Sequence, residues 1–330
     1  MKFFSRTTCS WTAFVTFSAF SGSVLGANRV DTSTQQMRQA DLRTQLQTPA
    51  VDAIPSFSKS EMADVGPQFL VREKPRKNLF EASVDVQYGH SSNIYLTENG
   101  MQSAPMAITT AQVAIAPDPF KFASGELALR TGYRHQKFSY GKFSAKEKTL
   151  NDADFDVSTV FAQGRFLYRE NLMFSAGIDH NRLLNAAAGR YDEFFSEAVP
   201  SVGVDGQYKI NEKSSVSLSG QFLVHFTSVA PPNPAQNDRL EEVLTATYTR
   251  EIATNLSMQP FYRVQLSQYN RNRNRDDIVQ TLGVFLGYSI NRWASVRLYA
   301  SYEARESSER FISDYRKFDN GIGMSFQARF

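Results

Sequence analysis

The residues whose types and spacing come nearest to covalent chemistry are His90, Ser92 and Asn93. On a strand, positions i and i+2 share a face, so the imidazole of His90 and the hydroxyl of Ser92 would lie side by side. An imidazole can activate a neighbouring hydroxyl as a nucleophile when a third group orients the ring. No orienting carboxylate or amide is assignable by spacing, and the competing reading is a structural strand end without enzyme activity. We expect no catalytic residue here. His135, His180 and His225 fall one to a predicted strand and read as hydrogen-bonding groups of a polar interior or a girdle. Asp152, Asp154 and Asp156 share parity at a loop end, where a solvated acidic loop is expected over a calcium site. No metal and no cofactor is expected.

The elements that would position these residues are strands. Ile322 to Phe330 alternates apolar with polar or small residues without a break. Period-two alternation marks a strand with one greasy and one wet face. The same theme repeats from Leu79 onward. In the first strand Phe80, Ala82, Val84, Val86 and Tyr88 fall on one side and Glu81, Ser83, Asp85 and Gln87 on the other. The spacing predicts twelve strands, at 79–89, 105–116, 125–139, 154–169, 172–184, 195–210, 214–229, 240–252, 255–269, 277–290, 294–307 and 318–330. Their connections alternate. Short ones include Glu170-Asn171, Asn211–Lys213, Ala253–Asn255 and Asn291–Trp293, with a slightly longer one at Pro117–Pro119. Long ones are His90–Pro105, Gly141–Ala153, Ala186–Asp192, Pro231–Arg239, Asn270–Asp276 and Ser308–Lys317.

An even strand number with short turns at one end and long loops at the other is the pattern of a closed antiparallel transmembrane barrel. The fold expected for residues 79–330 is therefore all-β: an up-and-down meander in the bacterial outer membrane, with both termini periplasmic. Composition agrees. Hydrophobic residues make up 42% and mean hydropathy is −0.38, so no run approaches the roughly 18 apolar residues of a spanning helix. Pro200 and Pro260 fall inside predicted strands, which requires bulges or lapsed pairing there. A net charge of +3 is too small to point to nucleic acid.

Residues 1–27 read as a signal peptide. Lys2 and Arg6 precede an apolar Trp11–Phe20, and small residues follow up to a cut after Gly26 or Ala27. The sole cysteine, Cys9, lies in this leader, so the mature chain would hold no disulfide or thiolate site. Residues 28–78 are polar, and Pro55, Pro67 and Pro75 argue against strands. A short polar helix over 33–46 would place Met37, Leu42 and Leu46 loosely on one side. The segment reads as a polar periplasmic tail; the alternative is a plug or a partner-binding segment.

If the register holds, Glu81, Asp85, Arg130, Arg134, Asp179, Asp205, Arg263, Arg297, Glu303, Arg305 and Arg329 line the lumen. Both signs are present, so these groups would tune ion selectivity or pair across a closed interior. Arg271, Arg273 and Arg275 alternate with Asn in a long outer loop. Guanidinium groups there suit acidic sugars or lipopolysaccharide phosphates, through charge-assisted hydrogen bonds; otherwise they form a solvated tip.

Three resemblances add to this. The ending on Phe326 and Phe330 resembles the closing strand of bacterial outer-membrane barrels, which implies recognition by the barrel-assembly machinery. Asp64-Val65-Gly66-Pro67-Gln68, the basic Arg72–Lys77, and the strand ending Tyr88-Gly89-His90-Ser91-Ser92-Asn93-Ile94-Tyr95-Leu96 resemble the β-barrel porin 2-like family of outer-membrane proteins. That resemblance implies a fold and a place more than a cargo. The His-x-Ser-Asn spacing is similar to that of outer-membrane phospholipases and lipid A deacylases, but Ile94 stands where the phospholipase motif has Gly. The function expected first is a passive porin for small hydrophilic solutes, with outer-membrane lipid and lipopolysaccharide as surroundings. A non-conducting surface-binding or envelope-structural barrel, linked to polysaccharide export, is the second. A lipid esterase using His90 and Ser92 is the third.

Overall fold

The structure is a computed structural model that describes residues 29–44, 79–141, 150, 153–169, 171–185, 192–229, 234–269, 275–309 and 312–330. The signal-peptide expectation, residues 64–68 and 72–77, Asp152, Arg271 and Arg273 lie outside the described residues. One helix, α1, covers residues 29–44. The strands are β1 Phe80–Ser91, β2 Ala104–Ile115, β3 Phe120–Phe122, β4 Gly125–Tyr140, β5 Phe155–Arg169, β6 Leu172–Asn185, β7 Asp192–Asn211, β8 Ser214–Val229, β9 Arg239–Ala253, β10 Leu256–Tyr269, β11 Arg275–Ser289, β12 Ala294–Ser307 and β13 Tyr315–Arg329.

Each strand pairs antiparallel with the next, β1 pairs with β13, and β2 pairs with β4 past the short β3. Twelve strands therefore close a cylinder, and β3 only extends the turn below β4. Closure leaves no strand edge in the barrel wall. The two ends of the chain seal one seam: Leu79 N and Phe80 N both donate to Phe330 O, and the Phe80 and Phe330 rings stack at 6.2 Å.

Alternation sets the two surfaces. Leu244, Leu282, Leu298 and Tyr302 are exposed on the outside, while Glu241, Thr281, Arg297 and Glu303 between them are buried inside. Leu244 and Leu282 are 63% and 61% exposed, which a water-soluble sheet would not tolerate in repeated rows but a lipid-facing one requires. Pro200 and Pro260 sit on the outward rows. Neither has a partner on one side: β7–β8 pairing skips Val199 and Pro200, and β9–β10 pairing skips Gln259 and Pro260. The ladder lapses where the missing N–H leaves nothing to donate.

Three strands begin two or more residues earlier at the long-loop end than alternation predicts. β7 starts at Asp192, β11 at Arg275 and β13 at Tyr315. Arg275 is accordingly not an outer-loop residue but a buried wall residue of β11. In these extensions charged and polar side chains point inward, so they resemble loop in sequence; they are held as strand because the interior supplies partners.

Candidate functional site: a helix inside the lumen

The interior is occupied by α1. It is polar nearly all round, yet Val30, Asp31, Ser33, Thr34, Gln35, Met37, Gln39, Ala40, Leu42 and Arg43 are all buried. A 16-residue helix with no wide apolar face would be marginal alone in water. The barrel wall supplies what is missing. Val30, Met37, Ala40 and Leu42 join a cluster with Ile94 of the connection after β1 and with wall residues including Met106, Phe138, Leu183, Phe195, Phe261, Phe285 and Tyr299.

Every charged residue of α1 has a described partner on the wall. Arg29 donates to Asn185 on β6 at 3.2 Å. Asp31 pairs with Arg275 on β11 at 2.9 Å and Arg305 on β12 at 4.0 Å. Arg38 meets Glu241 on β9 at 2.8 Å. Asp41 takes Arg134 at 3.1 Å and Gln136 at 3.0 Å, both on β4. Arg43 reaches Asp319 on β13 at 2.7 Å and lies 4.5 Å over the Tyr299 ring. β6 and β12 are on opposite sides of the cylinder, six strands apart in its order. The helix thus touches opposing walls. With side chains an α-helix is about 10–12 Å across, which suits this bore.

The N-terminal end of α1 lies at the long-loop end. Thr32 and Gln36 donate to the carbonyls of Tyr95 and Ile94, in the connection after β1. Neutral side chains of α1 make the contacts in the middle: Gln39 and Gln35 donate to the Glu303 carboxylate, and Tyr140 donates to Gln36 at 2.5 Å.

Two wall networks brace this end. Glu303 also accepts from Tyr315 at 2.8 Å and pairs with Lys317 at 3.4 Å. Glu197, His225, Arg239 and Glu241 form a buried cluster, with His225 Nδ1 2.9 Å from Glu197 and Nε2 3.4 Å from Glu241. Cost of burial is high for such charges, and pairing with further hydrogen bonds is what makes it tolerable.

Below α1 the lumen carries its own pairs. Arg297 holds Asp85 through two bonds of 2.7 and 2.8 Å, and Ser325 donates to the same carboxylate. Gly323 makes room for that guanidinium, since a Cβ there would sit 2.6 Å from Arg297 Nε. Nearer the short turns Arg130 and Arg329 flank Glu81 at 3.0 and 3.6 Å. Arg263 donates to Gln265 at 3.2 Å. Asp179 and Asp205 lie on the inward rows of β6 and β7, paired across the ladder with Val199 and Met173. Gln207 and Gln221, also on inward rows, are exposed.

His90, Ser92 and Asn93 do not converge on one another. His90 faces outward opposite Asn320. Ser92 Oγ accepts from Phe318 N at 2.7 Å, and Asn93 Nδ2 donates to Thr97 O at 2.7 Å and Arg316 O at 3.2 Å. The motif ties the loop after β1 to β13. His135 and His180 face outward, and His225 faces inward. Among the described residues no group of three or more His, Cys, Asp or Glu is arranged to hold a metal.

The helix partners Asp31, Arg38, Asp41 and Arg43 carry no signal in sequence. Their wall counterparts Glu241 and Asp319 do: they fall on the inward rows of the predicted strands 240–252 and 318–330, while Arg275 continues the inward row of β11 two residues ahead of its predicted start.

A closed antiparallel barrel of twelve strands, apolar outside and charged inside, is the fold of the outer-membrane β-barrel proteins. The fold is similar to that of an outer-membrane channel from Pseudomonas putida F1, at a TM-score of 0.50 and 12% identity over 80% of this chain and 100% of that one. Weaker likenesses are to the β domain of the Bordetella autotransporter BrkA (TM-score 0.44, 12% identity, 76% and 99% covered) and to the KdgM porin (0.38, 11%, 74% and 98%). No protein-family model and no curated protein matches the sequence.

Proposed function

We propose that this chain is an outer-membrane channel held shut by its own helix α1, and that it passes small hydrophilic solutes by diffusion when the helix leaves. The observation that carries this is the pairing of all five charged residues of α1 with the wall. A wall built to bind a polar helix is a polar wall once the helix is gone. Beneath it, Glu81, Asp85, Arg130, Arg297 and Arg329 continue the hydrophilic lining toward the short turns.

The long loops then face outward, both barrel termini face the periplasm, and the outer band meets lipid and lipopolysaccharide. The Phe326 and Phe330 ending serves the assembly machinery. Transport needs no energy source and no chemistry in the lumen.

Planar-bilayer recording of purified protein tests this. The full chain is expected to conduct rarely, and a variant lacking residues 29–44 to conduct steadily. Equal, steady conductance from both would remove α1 as the plug. Silence from both would favour the non-conducting structural barrel.

A further inference from the structure

The outward face of the barrel carries a constellation that the lumen does not use. We propose that Ser158, His135 and Asp156 form a hydrolytic site on the lipid-facing surface, acting on the carboxylic acyl esters of outer-leaflet lipid. This stands apart from the plug.

Residues 133 and 135 on β4 and 156, 158 and 160 on β5 are on outward rows, the rows of the exposed Leu129 and Val160. His135 and Ser158 are direct cross-strand partners. His135 Nδ1 is 3.3 Å from Ser158 Oγ, and its Nε2 is 3.5 Å from Asp156 Oδ2. Tyr133 donates its hydroxyl proton to Ser158 Oγ at 2.9 Å. That bond occupies a lone pair of Oγ and leaves its own proton for the imidazole. One proton order satisfies the whole chain: Tyr133 donates to Ser158, Ser158 to His135, and His135 through Nε2 to Asp156.

The side chain of Asp156 is 3% exposed and that of His135 39%. A buried carboxylate orients the ring, and an open ring edge can meet substrate. The second oxygen of Asp156 has no hydrogen-bond partner among the described residues, and the carboxylate stands between His135 and its cross-strand partner Lys137. Nucleophile, base and orienting acid are thereby within the reach that triad chemistry needs, which is looser before substrate arrives. Ser158 has a cation on its other flank. Arg182 on β6 is its partner across the β5–β6 ladder, and cross-strand neighbours stand about 5 Å apart at Cβ. Glu193 steadies that guanidinium at 2.7 Å through Nε and Nη2, and among the described residues none bonds its Nη1, so that nitrogen faces the oxyanion in this proposal.

The step balances without a cofactor. Ser158 Oγ attacks the ester carbonyl as His135 takes its proton. Arg182 stabilises the tetrahedral oxyanion. The C–O bond to the alcohol breaks, the alcohol leaves with the proton held by His135, and water then hydrolyses the acyl-serine by the same route. The site sits where the greasy outward rows of Val160 and Tyr133 give way to the charged Lys137 and Arg182, the setting of a lipid's ester and head-group region, hence a lipid ester. Glycerophospholipid and the esters of lipid A share that chemistry.

The test uses the full chain in vesicles of phosphatidylethanolamine and, separately, of lipid A, reading released fatty acid. A fluorophosphonate probe traps the nucleophile, and the labelled peptide is mapped. Release from one vesicle type names the source. Ser158→Ala and His135→Gln are both expected to fall to background, on the order of 10⁶-fold below the natural chain, and to abolish labelling. Asp156 is a positioning residue: Asp156→Asn should lower kcat by about 10⁴-fold with KM held. Arg182→Gln should lower kcat by about 10²-fold. Folding of each variant is checked by heat-dependent gel mobility, and labelling of the natural chain needs no variant. No fatty acid from either vesicle, with or without an adduct at Ser158, overturns the proposal; so does release that survives Ser158→Ala.

Discussion

Arg38 of α1 and Glu241 of β9 meet at 2.8 Å with the carboxylate almost wholly out of water. The same carboxylate lies 3.4 Å from His225 and 3.5 Å from Arg239. One wall residue therefore serves both the barrel's own network and the helix within it. Removing one partner of a buried pair costs about 3–5 kcal/mol, because the other charge is left behind. Arg38→Glu should unseat α1 and raise single-channel open probability. An open probability unchanged by Arg38→Glu would show that the pair does not seat the helix.

Arg297 and Asp85 make a second test, one of stability. Arg297→Ala strands a buried carboxylate and should cost about 3–5 kcal/mol in urea unfolding from lipid vesicles. Asp85→Asn combined with Arg297→Gln removes both charges and should recover most of that loss. A single variant as stable as the natural chain would mean water solvates Asp85 after all.

Glycines of the barrel wall differ in how much space surrounds them. Gly89 and Gly321 are ladder partners, and a Cβ on either would come within 2.6 Å of the Tyr299 hydroxyl. Gly164, on an outward row, would meet Leu129 at 3.5 Å and the Ala176 carbonyl at 3.9 Å, both ordinary contacts. Gly321→Val should therefore reduce the folded fraction severalfold, whereas Gly164→Ala should leave it unchanged. Heat-dependent gel mobility reads both.

Phe330 closes the seam against Phe80 and lends its carbonyl to Leu79 and Phe80. Phe330→Ala keeps the backbone bonds and removes the stack, an aromatic pair worth about 0.5–1.5 kcal/mol. Stability should change little, while the amount assembled in the outer membrane should drop severalfold if the ring is also an assembly signal. Equal amounts of both proteins in isolated membranes would rule that role out.

Orientation is testable with single cysteines, since Cys9 is the only native one. Met101→Cys, in the long connection after β1, should react with an impermeant maleimide on intact cells. Asn291→Cys, in a short turn, should react only after the outer membrane is opened. The reverse pattern would invert the barrel.

Strand number and face were legible because lipid and water impose opposite demands on alternate residues, as in Val296-Arg297-Leu298-Tyr299. Period two survives without knowledge of any neighbour. Strand ends were less legible where inward residues are charged, as at Arg275 and Lys317, because such residues read as loop until a buried partner is known. The Ser158, His135 and Asp156 grouping was illegible for another reason: His135 and Ser158 are 23 positions apart and meet only through β4–β5 register.

By itself the sequence determined a cylinder with greasy residues outward and charged ones inward, because that alternation is local and each strand declares it alone. It left residues 28–78 open between tail and plug, since a polar segment is normally stable in water. Only the tertiary structure decided where residues 29–44 go. Their burial depends on Arg275, Arg305, Glu241, Arg134 and Asp319, which come from five different strands and reach one axis only when the sheet closes.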